Sequence, residues 1–188
     1  MSSLLDKLCL ITNVQITLLK DSTISENTEL VQNQVNYKTV PYPYQVEGIT
    51  YGLKNPHWML LDAPGLGKTL TTICLAEELK LQHGIEHCLV ICGLNTLKTN
   101  WKNEISIHSH FSAKILGERV SKRTGKVSYG GVSDRLADLK KPIDEFFVIT
   151  NIETLRNNEI IKELQKGCNK FDFIIVDEVH AAKNAQSQ

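Results

Sequence analysis

Neither sign of charge is in excess in this chain of 188 residues: lysine plus arginine equal aspartate plus glutamate at 21 each. The totals therefore give no global argument for a nucleic acid or an acidic partner, and any such argument has to be local. No apolar run approaches the roughly 20 residues that a membrane-crossing helix needs, so no membrane partner is expected. The segment from Met1 to Lys20 has acidic Asp6 early and no basic stretch ahead of an apolar core, so a signal peptide is not expected there. The five cysteines, Cys9, Cys74, Cys88, Cys92 and Cys168, include no pair spaced as C-x-x-C. Cys88 and Cys92 lie in one apolar run at a spacing poor for a metal, so the cysteines read as buried, reduced thiols. Nor is there an internal repeat or a low-complexity tract. What remains is a chain of single-domain size with 41% hydrophobic residues, enough to build a core. It is expected to be soluble and intracellular, in the cytoplasm, nucleoid or nucleus.

Residues 1–40 say least. Leu8 to Leu19 alternates in the manner of a strand, 21–27 is polar and turn-rich, and Val31 to Val40 is a second strand candidate. We read 1–40 as a β-rich N-terminal extension and 41–188 as the main domain. Pro41 and Pro43 enforce an extended entry, and a short helix is expected over Gln45 to Leu53. Then come an apolar run at Trp58 to Leu61, read as a strand, and helical spacing of Leu70, Ile73, Cys74, Leu75 and Leu79 over 69–82. Strands follow at Cys88 to Cys92, Ala113 to Leu116, Phe146 to Thr150 and Phe171 to Asp177. Helices are expected over 96–107, 133–140 and 152–165, with a loop joining Leu116 to Ser133. Apolar strands alternating with helices predict an α/β fold, a mostly parallel sheet flanked by helices. Ligands on such sheets bind just beyond the carboxyl ends of the strands.

Chemistry is concentrated in two places. Asp62-Ala63-Pro64-Gly65-Leu66-Gly67-Lys68-Thr69 follows an apolar run and opens an amphipathic helix. Glycines there let backbone N–H groups approach phosphate oxygens, and the helix N-terminus adds partial positive charge. Gly65, Leu66, Gly67, Lys68 and Thr69 are thus candidate ATP ligands. Lys68 would reach the β- and γ-phosphates, and Thr69 would offer its hydroxyl to Mg²⁺. The second place is Ile174-Ile175-Val176-Asp177-Glu178-Val179-His180, where an apolar strand delivers two carboxylates at its C-terminal end. Asp177 is placed to hold Mg²⁺ through water, and Glu178 to orient and deprotonate an attacking water.

These residues resemble helicase superfamily two, and within it the Swi/Snf-type ATPases, over about 41–188. D-A-P-G-L-G-K-T is similar to that family's D-E-M-G-L-G-K-T loop, where an aspartate at the position of Asp62 is usual; Ala63 and Pro64 depart from it. D-E-V-H-A-A-K-N at 177–184 resembles its D-E-A-H box followed by a Lys-Asn pair. Tyr44-Gln45-x-x-Gly48 resembles its glutamine motif, which implies that Gln45 reads the adenine edge. Leu94 to Glu104, with Asn100-Trp101-x-x-Glu104, and Val148 to Thr150 followed by Glu153-Thr154-Leu155 resemble two segments that face the tracking strand of DNA. The resemblance implies phosphate contacts by Thr96, Lys98 and Thr150, and a role for His180 in coupling the nucleotide site to DNA. Trp101 itself reads as core packing, and the basic stretch 119–126 as a solvated loop.

The resemblance further implies a RecA-like P-loop lobe, the cofactors ATP and Mg²⁺, double-stranded DNA as partner and ATP hydrolysis coupled to movement along it. It implies a second RecA-like lobe, in cis or in trans, that would supply arginine fingers. On that comparison the lobe is incomplete at its C-terminus, and weak ATP binding with very slow turnover is the expectation for 1–188. Two readings compete: a strand-separating DEAH-type helicase lobe, which the Lys183-Asn184 pair and the Asn100-Trp101 segment argue against, and a non-catalytic nucleotide- or partner-binding fragment.

Overall fold

A computed structural model of the protein describes residues 36–177. The expected strand at Leu8 to Leu19, the first half of the one at Val31 to Val40, and Glu178, His180, Lys183 and Asn184 lie outside the described residues; the described half, 36–40, forms no strand. Within them, the elements run α1 (Pro43–Lys54), α2 (Lys68–His83), β1 (His87–Cys92), α3 (Leu97–His108), β2 (Ala113–Ile115), β3 (Glu118–Val120) and β4 (Val127–Tyr129). They continue with α4 (Val132–Leu139), β5 (Phe147–Asn151), a 3₁₀ turn (Ile152–Arg156), α5 (Asn158–Lys166) and β6 (Phe171–Val176).

Four strands form one parallel sheet in the order β2-β5-β1-β6. The α/β fold with a parallel sheet flanked by helices is therefore as the alternation of apolar strands predicts. Period-two geometry sorts the central strands onto two faces. On one face Leu89, Ile91 and Val148 pack with Leu136 and Leu139 of α4 and Ile160, Ile161 and Leu164 of α5. On the other, Cys88, Val90, Cys92, Phe147 and Ile149 pack with Ile73 and Ala76 of α2 and Trp101 and Ile105 of α3. Both faces are covered, which is why these strands show continuous apolar runs rather than alternation. A third cluster joins α1 to α2 through Val46, Ile49, Cys74 and Leu75, with Trp58 against it. Gly52 permits this approach, because a Cβ there would lie 2.5 Å from Leu75 and 2.9 Å from Trp58.

Four expectations need correction. Trp58 to Leu61 is not a strand. It has no ladder partner among the described residues. Trp58 is drawn onto the α1–α2 cluster, while Met59 and Leu61 stay exposed. The helix expected over 152–165 is two elements, because Asn157 restarts it: its side chain accepts from the N–H groups of Glu159 at 2.9 Å and Ile160 at 3.1 Å, an N-cap. The loop between Leu116 and Ser133 contains an antiparallel hairpin, β3–β4. Its strands are three residues each, too short for a periodicity to announce them. Finally, Cys74, Cys88 and Cys92 are buried but Cys168 is exposed, so the cysteines are not uniformly core residues.

Candidate nucleotide site

The phosphate loop owes its shape to two glycines. Gly65 and Gly67 have φ of 87° and 73°, a left-handed backbone that side chains rarely adopt. Gly67 is the N-cap of α2 and provides no side-chain cap. The first N–H groups of this 16-residue helix are therefore directed at the loop without a protein acceptor, together with the positive end of the helix dipole. Lys68 curls across the loop and donates to the carbonyl oxygens of Asp62 at 2.8 Å and Ala63 at 3.2 Å.

Gln45 braces this loop from α1. Its side-chain nitrogen donates to the carbonyls of Leu66 at 3.2 Å and Gly67 at 3.3 Å, and its oxygen accepts from the backbone N–H of Tyr42 at 2.9 Å. Tyr44 adds a hydroxyl donation to Leu66 at 3.2 Å. Gln45 is buried, 2% exposed, and both amide hydrogens are committed to the loop. The resemblance assigned it to a base, whereas its contacts here are all to backbone; sequence could not reveal that second use.

Around these groups lies a cavity of about 550 Å³, lined by Gln45, Gly65 to Leu70, Trp101, Glu104 and Asp177 among others. Candidate ATP ligands from the loop thus share one space with the acidic residue at the end of β6. Asp177 is anchored twice: its N–H donates to Ile91 at 2.9 Å, and its Oδ2 accepts from the indole Nε1–H of Trp101 at 2.8 Å. Trp101 is 4% exposed. The core-packing reading of its ring holds, and its polar edge has a use the sequence did not disclose. Residues 97, 100, 101, 104 and 108 of α3 recur every three or four positions, so one helix face forms the cavity wall.

The residues present suit a magnesium nucleotide. The donors are hard oxygens, one hydroxyl at Thr69 and a carboxylate at Asp177, and uncapped N–H groups stand ready for phosphate. No cluster of three or more His, Cys, Asp or Glu side chains able to cage a metal occurs among the described residues. Mg²⁺ is normally held by few protein ligands, with phosphate and water completing its shell.

The expected DNA contacts divide. Thr96 is exposed. Lys98 and Thr150 are 3% and 1% exposed, so neither side chain is open to a phosphate in this arrangement. Lys98 lies beneath the end of the β3–β4 hairpin. Tyr129 places its ring 5.1 Å from the Lys98 ammonium and its hydroxyl 3.1 Å from that of Thr99. Burial first, and then the neighbouring Arg135 guanidinium, pull the Lys98 ammonium below the usual lysine value. The Thr150 hydroxyl and Arg135 Nε are buried without partners, although Arg135 reaches Thr154 at 2.8 Å. Arg119, assigned to a solvated loop, instead ion-pairs with Asp138 at 3.0 Å and Asp134 at 3.5 Å; Lys122, Arg123 and Lys126 are exposed as expected.

Fold and loop together define the class: a RecA-like P-loop lobe with its phosphate loop ahead of α2 and an acidic strand end facing it. More particularly, the chain belongs to the family described as type III restriction enzyme, res subunit, which matches residues 26–188. It is 27% identical over 178 residues to the CHD3-type chromatin-remodeling factor PICKLE of Arabidopsis thaliana, covering 80% of this chain and 12% of that protein. It is also 27% identical to the TATA-binding protein-associated factor MOT1 of Saccharomyces cerevisiae, covering 77% of this chain and 8% of that protein. Among solved structures it is similar to the Sulfolobus solfataricus SWI2/SNF2 ATPase core in complex with dsDNA. There the TM-score is 0.58 and the identity 26%, over 81% of this chain and 29% of that one. The Swi/Snf-type resemblance read from the motifs thus recurs in whole-chain comparison, and the chain spans a small part of the length of each relative. No helix among the described residues is long and apolar enough to cross a membrane.

Proposed function

We propose that this chain is the ATP-binding lobe of a DNA-dependent ATPase that moves along double-stranded DNA. One observation carries the reading: the phosphate loop, the uncapped start of α2 and the Asp177 carboxylate converge on a single cavity of nucleotide size. On binding ATP, Lys68 exchanges the carbonyls of Asp62 and Ala63 for phosphate oxygens, and the N–H groups of 67–69 cradle the same phosphates. Thr69 and Asp177 would hold Mg²⁺, which would supply charge neutralisation at the transferred phosphoryl group. Glu178 activates water, and His180 passes the state of the site toward DNA. Gln45 meets adenine by releasing one loop carbonyl. Thr96, Thr150, and Lys98 once Tyr129 moves off it, bind phosphates of the tracked strand. A second RecA-like lobe, in cis or in trans, completes the nucleotide site. The domain division is 1–40 and 41–188, and the working place is wherever duplex DNA is held.

The test is ATP turnover by 1–188, alone and together with a Swi/Snf-type second lobe, with and without double-stranded DNA. The reading expects DNA to stimulate turnover only when the second lobe is present, and Lys68→Ala to abolish that turnover. Nucleotide binding with no turnover under any of these conditions would replace it with a non-catalytic binding role.

A further inference from the structure

A tryptophan needed only for packing could be a phenylalanine or leucine. Trp101 fills the core between α2, β1 and α3 with its ring, alongside Ile73, Val90, Cys92 and Ile105. A buried indole N–H without an acceptor would carry the full desolvation cost of that group. Here the N–H emerges at the cavity wall and donates to Oδ2 of Asp177 at 2.8 Å. The pairing is chemically matched, since indole nitrogen can only donate and an ionised carboxylate can only accept. The backbone end of Asp177 is fixed by its N–H to Ile91 at 2.9 Å. Its side chain would otherwise rotate freely about two torsions. Among the described residues no donor reaches Oδ1, which leaves that oxygen as the one available to the cavity.

We propose that Trp101 is a positioning residue for Asp177: its indole N–H fixes one carboxylate oxygen and thereby aims the other at the metal of a bound magnesium nucleotide. The proposal rests on the ATP-site reading above and deepens it. Partners that orient a metal-binding carboxylate typically matter by tenfold or more in affinity when removed. The phosphate loop does not touch Trp101's N–H, so nucleotide affinity without metal is independent of it.

The experiment measures binding of a fluorescent ATP analogue to the full chain, in excess Mg²⁺ and in EDTA, for wild type, Trp101→Phe, Asp177→Ala, the double variant and Lys68→Ala. The expected result is about a tenfold weakening by Trp101→Phe in Mg²⁺ and unchanged affinity in EDTA. The double variant should be no weaker than Asp177→Ala alone. Additive losses, or equal losses with and without Mg²⁺, would overturn the proposal. Failure of Lys68→Ala to weaken binding would instead sink the ATP-site reading. A second measurement leaves the tryptophan in place. The chain has two tryptophans, so a ¹⁵N spectrum shows two indole N–H signals. Asp177→Asn should shift that of Trp101 and leave that of Trp58 alone, and Mg²⁺ added to the ATP complex should move it more than ATP in EDTA does. A Trp101 signal indifferent to both would also overturn the proposal.

Discussion

Two regions at the carboxyl ends of the strands differ in how they are built. The phosphate-binding part of the nucleotide cavity is assembled largely from backbone, over a short stretch that ends in an uncapped helix start, and it is open. The expected DNA face is assembled from side chains at Thr96, Lys98 and Thr150; Thr96 is exposed, but Lys98, under Tyr129, and Thr150 are buried. A site made of main-chain N–H groups needs only the local chain path. A site made of converging side chains depends on whatever else the tertiary structure lays over it. α3 touches both regions, since its first turn carries Lys98 and its next turn carries Trp101, bonded to Asp177.

The comparison breaks most severely at Lys68. Replacing it by alanine removes the cation from the open region and should weaken ATP binding roughly a hundredfold, measured by fluorescent-nucleotide titration, with duplex binding unchanged. Parallel losses in both would show that the regions are one.

Next is Gly67→Ala. A Cβ there falls on the Gln45 amide nitrogen, and φ of 73° is strained for alanine. The expected cost is about 1–3 kcal/mol of stability, seen as a lowered urea midpoint, with loss of nucleotide binding. Gly65→Ala has a similar φ of 87° but meets nothing within 4 Å, so it should cost less.

A smaller effect sharpens the other side. Tyr129→Ala removes the ring over Lys98 and the hydroxyl contact to Thr99. If the hairpin is only a cover, duplex affinity should rise about threefold and the slope of log affinity against log salt should steepen by about one phosphate contact. A fall in affinity would assign the hairpin itself to the DNA surface.

The smallest effect concerns pH. Burial, then Glu77 and Glu78, push the Cys74 thiol from its ordinary 9.0 up to about 12. A raised folded-state value favours the protonated fold, so this contribution is complete below pH 9 and is lost as pH rises from 9 towards 12. The urea midpoint should fall across that window, less steeply in Cys74→Ala. Alkylation mapped site by site at pH 8 should mark exposed Cys168 well before Cys74 or Cys88.

Much of the α/β pattern was legible because both sheet faces are covered and the two central strands carry unbroken apolar runs, Cys88 to Cys92 and Phe147 to Ile149. The hairpin was not legible, because strands such as Val127–Tyr129 are only three residues long and exposed on every residue, too short for an alternation to stand out. Trp58 to Leu61 misled for the opposite reason: its composition suits a strand, but a strand exists only where a neighbour supplies hydrogen bonds. Asn157 was readable as a helix start, being an N-cap residue two places ahead of Glu159, yet the apolar spacing on either side of it masked the break.

By itself the sequence determined the phosphate loop, since glycines at 65 and 67 followed by Lys68 and Thr69 specify a backbone path whatever surrounds it. It determined the α/β class too, through runs that only a doubly covered sheet can bury. Tertiary structure alone decided that Gln45 grips the loop's carbonyls, that Trp101 turns its N–H toward Asp177 and that Lys98 lies under Tyr129 of the hairpin. Each of these joins residues far apart in the chain, where a side chain's partner follows from packing and not from spacing.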